Sequence, residues 1–241
     1  MESKQLPDRL INKNYKILLT ALLALLLIIT FIHLNEYEIT GELTNHILQK
    51  GISDTGAINL VTAILFDYRG FDTLGEATII LTAAAALAFL VPKKRVTMLA
   101  AKFTIIVYQT VIFIIPFLAV LGLYLIFFGH LSPGGGFTGG VVLATIIILL
   151  TITYGLSFTE RKIKYNYTCL AESLGALGFV LLGLLGIIAG STFLASGRAG
   201  FNIGQPGKLF SAGLIPWLNL IVGVKVGAGL AIIFNSLIKE E

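Results

Sequence analysis

The sequence predicts an all-α integral membrane protein. It has six transmembrane helices grouped as two plus four, both termini in the cytoplasm, and one outer interfacial helix. Three observations predict this. Of 241 residues, 56% are hydrophobic and 12% charged, against about 25% charged in an ordinary soluble domain, and the mean hydropathy is +0.91. Second, the apolar residues gather into runs of the length a bilayer demands. Third, basic residues concentrate in alternate loops. A folded soluble chain must show much of its surface to water, so this composition excludes a soluble globular enzyme, a disordered chain and a disulfide scaffold. The single cysteine, Cys169, forms no internal disulfide.

A helix rises about 1.5 Å per residue, so crossing about 30 Å of hydrocarbon takes roughly 20 apolar residues. The runs that qualify are 17–34, 72–91, 103–128, 137–158, 169–190 and 212–238. The first is too long for a signal-peptide core, and Asn35-Glu36-Tyr37-Glu38 after it offers no small-residue cleavage site, so it reads as a retained span. Pro92 ends the second. Pro116 removes a backbone hydrogen bond inside the third and predicts a packing kink. The acidic stretch 35–71 holds one further apolar run, 57–66, too short to span. It predicts a helix lying on the outer interface, capped by Ser53 or Asp54.

Lysines and arginines orient the spans. Twelve lie in the N-terminal segment, the loops after spans two and four, and the C-terminus; four (Lys50, Arg69, Arg198 and Lys208) lie opposite. The asymmetry places both termini in the cytoplasm of a multi-pass cell-membrane protein. The net charge of +4 is therefore a topology signal, and no nucleic-acid partner is expected. The chain divides into residues 1–92 with two spans, a basic linker at 93–102, and residues 103–241 with four spans and more glycine. Gly186-x-x-x-Gly190 and Gly223-x-x-x-Gly227 let helices approach closely.

Four features carry chemistry against this apolar background. Asp67-Tyr68-Arg69-Gly70-Phe71-Asp72-Thr73-Leu74-Gly75-Glu76 places three acids and an arginine at the mouth of span two. Asp72 and Glu76 are four apart and share a helix face, where two carboxylates repel unless they hold a proton or cation, and Arg69 could steady the charge. Equally, Thr73-x-x-Glu76 fits a capping box and Asp72 fits a helix start. The second feature is the outer loop Pro133-Gly134-Gly135-Gly136-Phe137-Thr138-Gly139-Gly140. Its literal G-x-G-x-x-G lies between two spans, not in a βαβ unit, so it does not bind a dinucleotide. A tight turn and a broken helix facing an ion path both fit it.

The third feature is Lys225, in the middle of span six. Either end is roughly 18 Å away, about three times the reach of a lysine stem. A charge there costs at least ~2.5 kcal/mol, so it must face protein or trapped water, pair with an acid, or give up its proton. A relay, its electrostatic support, and structural pairing all satisfy that condition. The fourth is Glu172, near the start of span five, able to pair with loop lysines or with Lys225. Straight helices put those two roughly 12 Å apart in depth, which predicts a water link or an acid from a neighbouring chain. His33, His46 and His130 fall on or near the outer side, and His130 is a candidate proton entry beside the glycine loop. The sequence holds no HExxH, CxxC, Walker or nucleophile–base pattern, so neither a catalytic residue nor a metal or cofactor in this chain is expected.

The stretch from Asn59 to Glu76 resembles the C-terminal segment of the large A-type component of Mrp sodium/proton antiporters, a segment that is a separate small chain in membrane-bound hydrogenase-type complexes. Residues 130–140, 207–216 and 218–229 resemble the B-type component of the same antiporters. The resemblance implies a multi-subunit module that exchanges Na+ for H+, with Na+ as transported ion. It implies transport roles at Arg69 and Glu76, and roles for Pro133 and Phe137 in the B-type loop. One departure is informative: the A-type segment is fused to the B-type component. That arrangement resembles hydrogenase-type or sulfur-reducing respiratory complexes more than the stand-alone antiporter. The implied partners are other Mrp-like subunits, hydrogenase-like or iron–sulfur redox subunits, and lipid.

The leading expectation is a non-redox membrane subunit of a cation/proton antiport module, not an enzyme in itself. Its ion or proton pathway candidates are Asp67, Arg69, Asp72, Glu76, Glu172, Lys225 and His130. The alternatives are a structural scaffold between antiporter-like subunits and a component of a stand-alone antiporter.

Overall fold

The computed structural model describes residues 13–36, 41–90 and 103–238. Every regular element among them is helical. The chain forms two units, residues 1–45 and 46–241. Pro92 and the basic linker at 93–102 lie outside the described residues.

The first unit contains α1 (Lys13–Glu36), which covers the first expected run, 17–34. Among its described residues the apolar stretch Thr20–Ile32 is shorter than a full crossing.

The second unit holds five helices long and apolar enough to cross a membrane: α4 (Gly70–Leu90), α5 (Ile105–Phe127), α6 (Gly136–Tyr154), α8 (Tyr165–Ile188) and α9 (Ile215–Ile238). They coincide with the last five expected runs within a few residues. The exception is the end of the fourth. There Gly155, at φ +84°, stops α6 and starts the short α7 (Leu156–Lys162), so Phe158 belongs to a separate helix. α5 stays helical through Pro116.

α9 is the helix the others pack around. In its spanning window 56% of residues are buried, against 11% in α5. Glycine makes the close approaches. Gly136 backs onto the main chain of Asn219, Gly140 onto Gly223 and Gly227, Gly139 onto Gly122, and Gly175 onto Cα and Cβ of Lys225. A methyl group at any of these positions would meet backbone or fixed side-chain atoms. Of the two small-residue spacings, Gly223 and Gly227 therefore seat α5 and α6. Gly186 instead receives the loop around Thr192 and Ala195.

The outer segment before α4 differs from expectation. α2 (Glu42–Thr55) occupies what the sequence reads as loop. It is mostly polar, and only its stripe Ile47, Gly51 and Thr55 is buried, a spacing of four that turns one narrow face inward. The expected helix at 57–66 is only α3 (Leu60–Ala63), continued by one π turn (Ile64–Tyr68). Its cap is Asn59, whose side chain accepts from the amides of Val61 and Thr62, so neither Ser53 nor Asp54 caps it. Ala57, Thr62, Ala63 and Phe66 are buried while Ile58 and Val61 stay exposed, so one face of 57–66 joins the protein core. Asn59 also ties this segment to the next outer loop, donating through Nδ2 to the carbonyls of Gly129 (2.8 Å) and Ser132 (2.9 Å).

The connection from α8 to α9 folds back on itself. Leu194 and Ala212, both fully buried, hold positive φ angles of 63° and 69°, a conformation that costs a side-chain-bearing residue about 1–3 kcal/mol. Ser196 pins them: its hydroxyl donates to the Ala212 carbonyl and accepts from the Leu214 amide.

Candidate functional site

Two buried ionisable side chains meet where α4, α8 and α9 pack. Lys225 is 1% exposed and Glu172 4%. α8 and α9 run antiparallel, with Gly175 against Lys225 and Glu172 against Gly229. Glu172 thus stands about one helical turn, roughly 6 Å, from Lys225 along the axis. This corrects the 12 Å expected from the span ends: helix register, not span length, sets the depth of a residue. The Lys225 ammonium donates to the carbonyl of Ala77 on α4 at 2.6 Å. That bond satisfies one of its three N–H donors. Lys225 and Glu172 feel each other's charge but form no direct ion pair. Glu172 Oε1 has no hydrogen-bond partner among the described residues. A carboxylate and an amine held apart, dry and partly unsatisfied, are suited to exchanging a proton through an intervening water.

A second polar cluster lies just before α4, where the π turn carries Asp67 inward. The Asp67 side chain is 1% exposed; Oδ1 accepts from Arg198 at 2.5 Å and Oδ2 from the Ser196 amide at 3.1 Å. The Arg198 guanidinium stands 5.3 Å from the ring centre of Tyr68. The Tyr68 hydroxyl donates to Asp54 Oδ2 at 2.9 Å, and His46 Nε2 meets the same oxygen at 2.9 Å. Burial works against the Asp54 carboxylate, but its bonds to Tyr68 and His46 and the charges of His46 and Arg198 outweigh it and hold its pKa below the usual value. Burial, then the bond to Asp54, pushes Tyr68 up to about 12.

The four expected mouth residues therefore do not form one group. Asp67 turns inward to Arg198. Arg69 pairs outward with Asp72 at 2.6 Å, their side chains 63% and 46% exposed. Glu76 is exposed on the next turn of α4. The capping-box alternative is not realised: Thr73 lies inside α4 and its hydroxyl donates to the Leu65 carbonyl. The sequence does not single out Arg198, His46, Asp54 and Tyr68 as members of one cluster. Arg198 lies 131 positions from Asp67, and no local pattern links them.

The glycine loop makes a turn and a packing seam. Gly134 and Gly135 take φ of 152° and 140°. The Gly136 amide donates to Asn219 Oδ1 at 2.8 Å, and α6 then runs unbroken to Tyr154, so the broken-helix alternative does not hold. Pro133 and Phe137 face outward, exposed. His130 is fully buried, and neither ring nitrogen meets a hydrogen-bond partner among the described residues. Burial lowers its pKa below 6.5, opposed by the nearby backbone of Lys208 and Leu209. Its main-chain carbonyl accepts from the Asn59 amide at 3.1 Å.

Two family models match different stretches of the chain. Residues 106–232 match the family model described as a domain related to the MnhB subunit of Na+/H+ antiporter. Residues 13–103 match the model of MbhE, a component of MBH. An uncharacterized protein of Methanocaldococcus jannaschii is 36% identical over 196 residues, covering 72% of this chain and 74% of its own. The B-type component of the Na+/H+ antiporter of Bacillus subtilis is 32% identical over 104 residues, 43% of this chain and 72% of that one. Among solved structures, a chain of the membrane-bound sulfane sulfur reductase, an archaeal respiratory membrane complex, superposes with a TM-score of 0.72 at 30% identity, over 92% of this chain and 98% of that one. A chain of the Mrp complex from Dietzia shares the fold, with a TM-score of 0.64 at 20% identity, over 95% of this chain and 26% of that one.

Proposed function

Because the chain belongs to the family of domains related to the MnhB subunit of Na+/H+ antiporters, we propose that it is a non-redox membrane subunit of a multi-subunit cation/proton antiport module within a respiratory complex. It works with other Mrp-like subunits, and redox chemistry belongs to other chains of the assembly. The likeness to the sulfane sulfur reductase chain along nearly its whole length supports the respiratory setting, as does the MBH-type segment ahead of the MnhB-type domain. Six spans with both termini in the cytoplasm follow from the alternation of basic residues. Na+ is the proposed counter-ion to the proton.

One observation carries the transport role: Lys225 and Glu172 are buried together among spanning helices, with a carboxylate oxygen left unbonded among the described residues. A chain that only sealed the membrane would gain stability from apolar residues at both positions. The scaffold reading has its own support, since α5 is 11% buried and so presents most of its surface to neighbours or lipid. Lys225→Ala and Glu76→Gln, measured as Na+/H+ exchange in vesicles holding the assembled complex, separate the two. For transport, Lys225→Ala slows exchange about a hundredfold with normal assembly. Normal exchange in both variants establishes the scaffold.

A further inference from the structure

A narrow crevice lies beside this pair, at the end of the helices where α7 joins α8. Its polar lining is Glu160, Tyr165, Thr168 and Asn235, and Ile147 and Ile232 form its apolar wall. The cavity volume open to a water centre is about 10 Å³, the room of a single water. Thr151 donates to Asn235 Oδ1 at 3.0 Å, fixing that amide at the wall.

The helix register joins this crevice to the buried pair. On α8, Tyr165, Thr168 and Glu172 are spaced by three and four, so they form one stripe. On α9, Lys225, Gly229, Ile232 and Asn235 form the facing stripe by the same spacing. Glu172 meets Gly229, one turn from the Ile232 that walls the crevice. Tyr165 lies within electrostatic range of both Glu172 and Glu160. Glu172 Oε1, buried without a partner among the described residues, stands just beyond. A buried polar atom left in that state costs about 1–3 kcal/mol, which one water would relieve.

We infer that this crevice is a single-file water route carrying protons between the aqueous side that bears α7 and Glu172, with Glu160 as the acid at its mouth. The inference rests on the reading of Glu172 and Lys225 as proton-handling groups. In the transfer step a protonated water in the crevice loses one O–H bond to a second water beside Glu172, and an O–H bond of that water breaks as a new O–H bond forms on a Glu172 oxygen. The crevice water is then protonated again by hydronium from the bulk at the mouth, and the reverse sequence releases one proton. Room for one water also makes the route selective: a proton hops along it, whereas a hydrated sodium ion does not enter.

The test uses the assembled complex in vesicles. Thr168→Val, which takes the hydroxyl out of the lining without adding bulk, should slow proton uptake, as should Glu160→Gln and Asn235→Leu, each at least about tenfold. Leu177→Ala, exposed on an apolar face of α8, should not. Slowed uptake in the lining variants with normal uptake in Leu177→Ala supports the route. Normal uptake in Thr168→Val overturns it, and that arm decides even if a charge variant fails to assemble. Uptake that is normal in Glu160→Gln and Asn235→Leu but lost in Glu172→Gln also overturns the route, while leaving the buried pair as the proton site. Normal uptake in Glu172→Gln overturns the parent reading instead.

Discussion

Asp67 and Arg198 show how unevenly a charge pair can be exposed: the acid side chain is 1% accessible and the arginine 45%. Removing the guanidinium strands a buried carboxylate, so Arg198→Ala should destabilise the fold by about 3–5 kcal/mol. Arg198→Ala with Asp67→Asn should cost much less than the sum of the two, because the stranded charge is gone. Thermal unfolding of the purified complex measures both. His130 makes a pH prediction. Its folded pKa lies below 6.5, so the neutral ring is the form the fold accepts. The stability it contributes is complete above 6.5 and declines as pH falls below that value, because the unfolded chain then binds the proton more readily. Amide exchange of the 128–136 loop should therefore accelerate on acidification, and His130→Gln should flatten that dependence. At this scale the sequence reveals which residues are anomalous, Lys225 above all, because a mid-span charge stands out in one dimension. It does not reveal their partners. The sequence groups Asp67 with Arg69, Asp72 and Glu76 at one mouth, yet the π turn directs it to Arg198.

Among the elements, the glycines of α6 carry the plainest prediction. Gly136 and Gly140 lie against the backbone of α9, and an alanine methyl there meets main chain and, at Gly140, the Cβ of Val226 as well. Gly136→Ala and Gly140→Ala should each cost about 1–3 kcal/mol, read as lower yield and a lower melting temperature of the assembled complex. The spanning helices are legible because their apolar runs are long and their ends are marked by charge, glycine or proline. α2 is not legible. Its single buried stripe of Ile47, Gly51 and Thr55 includes a glycine and a threonine, which no hydrophobic pattern detects. The segment at 57–66 misleads for the converse reason. Its apolar residues suggest one helix on a membrane surface, but tertiary packing buries Ala57, Ala63 and Phe66, and the helix is shortened to α3 and one π turn.

At the scale of the whole molecule, two helical sets matching different families are joined in one chain, and the alternation of basic residues proposes one orientation for both. A reporter that fluoresces only in the cytoplasm should be bright at either terminus and dark when inserted after Lys208. A bright insertion there would reverse the proposed topology. The broad apolar face of α5, with Ile106, Phe113, Phe117 and Val120 each more than 60% exposed, suits lipid or neighbouring subunits. Affinity purification of the tagged chain under mild detergent should retain Mrp-like subunits, and iron–sulfur subunits with them if the module is redox-driven.

Composition and periodicity alone determined that this chain is a helical membrane protein, that five of its apolar runs are long enough to cross, and that Lys225 lies deep in one of them, since bilayer thickness and the cost of buried charge act on any helix wherever it packs. Tertiary structure alone decided that Lys225 reaches the Ala77 carbonyl, that Glu172 stands one turn away, and that Arg198 rather than Arg69 answers Asp67. Those pairings depend on the register of helices remote in sequence. Register is set by how glycine seams interlock, a relation between surfaces that no single stretch of chain contains.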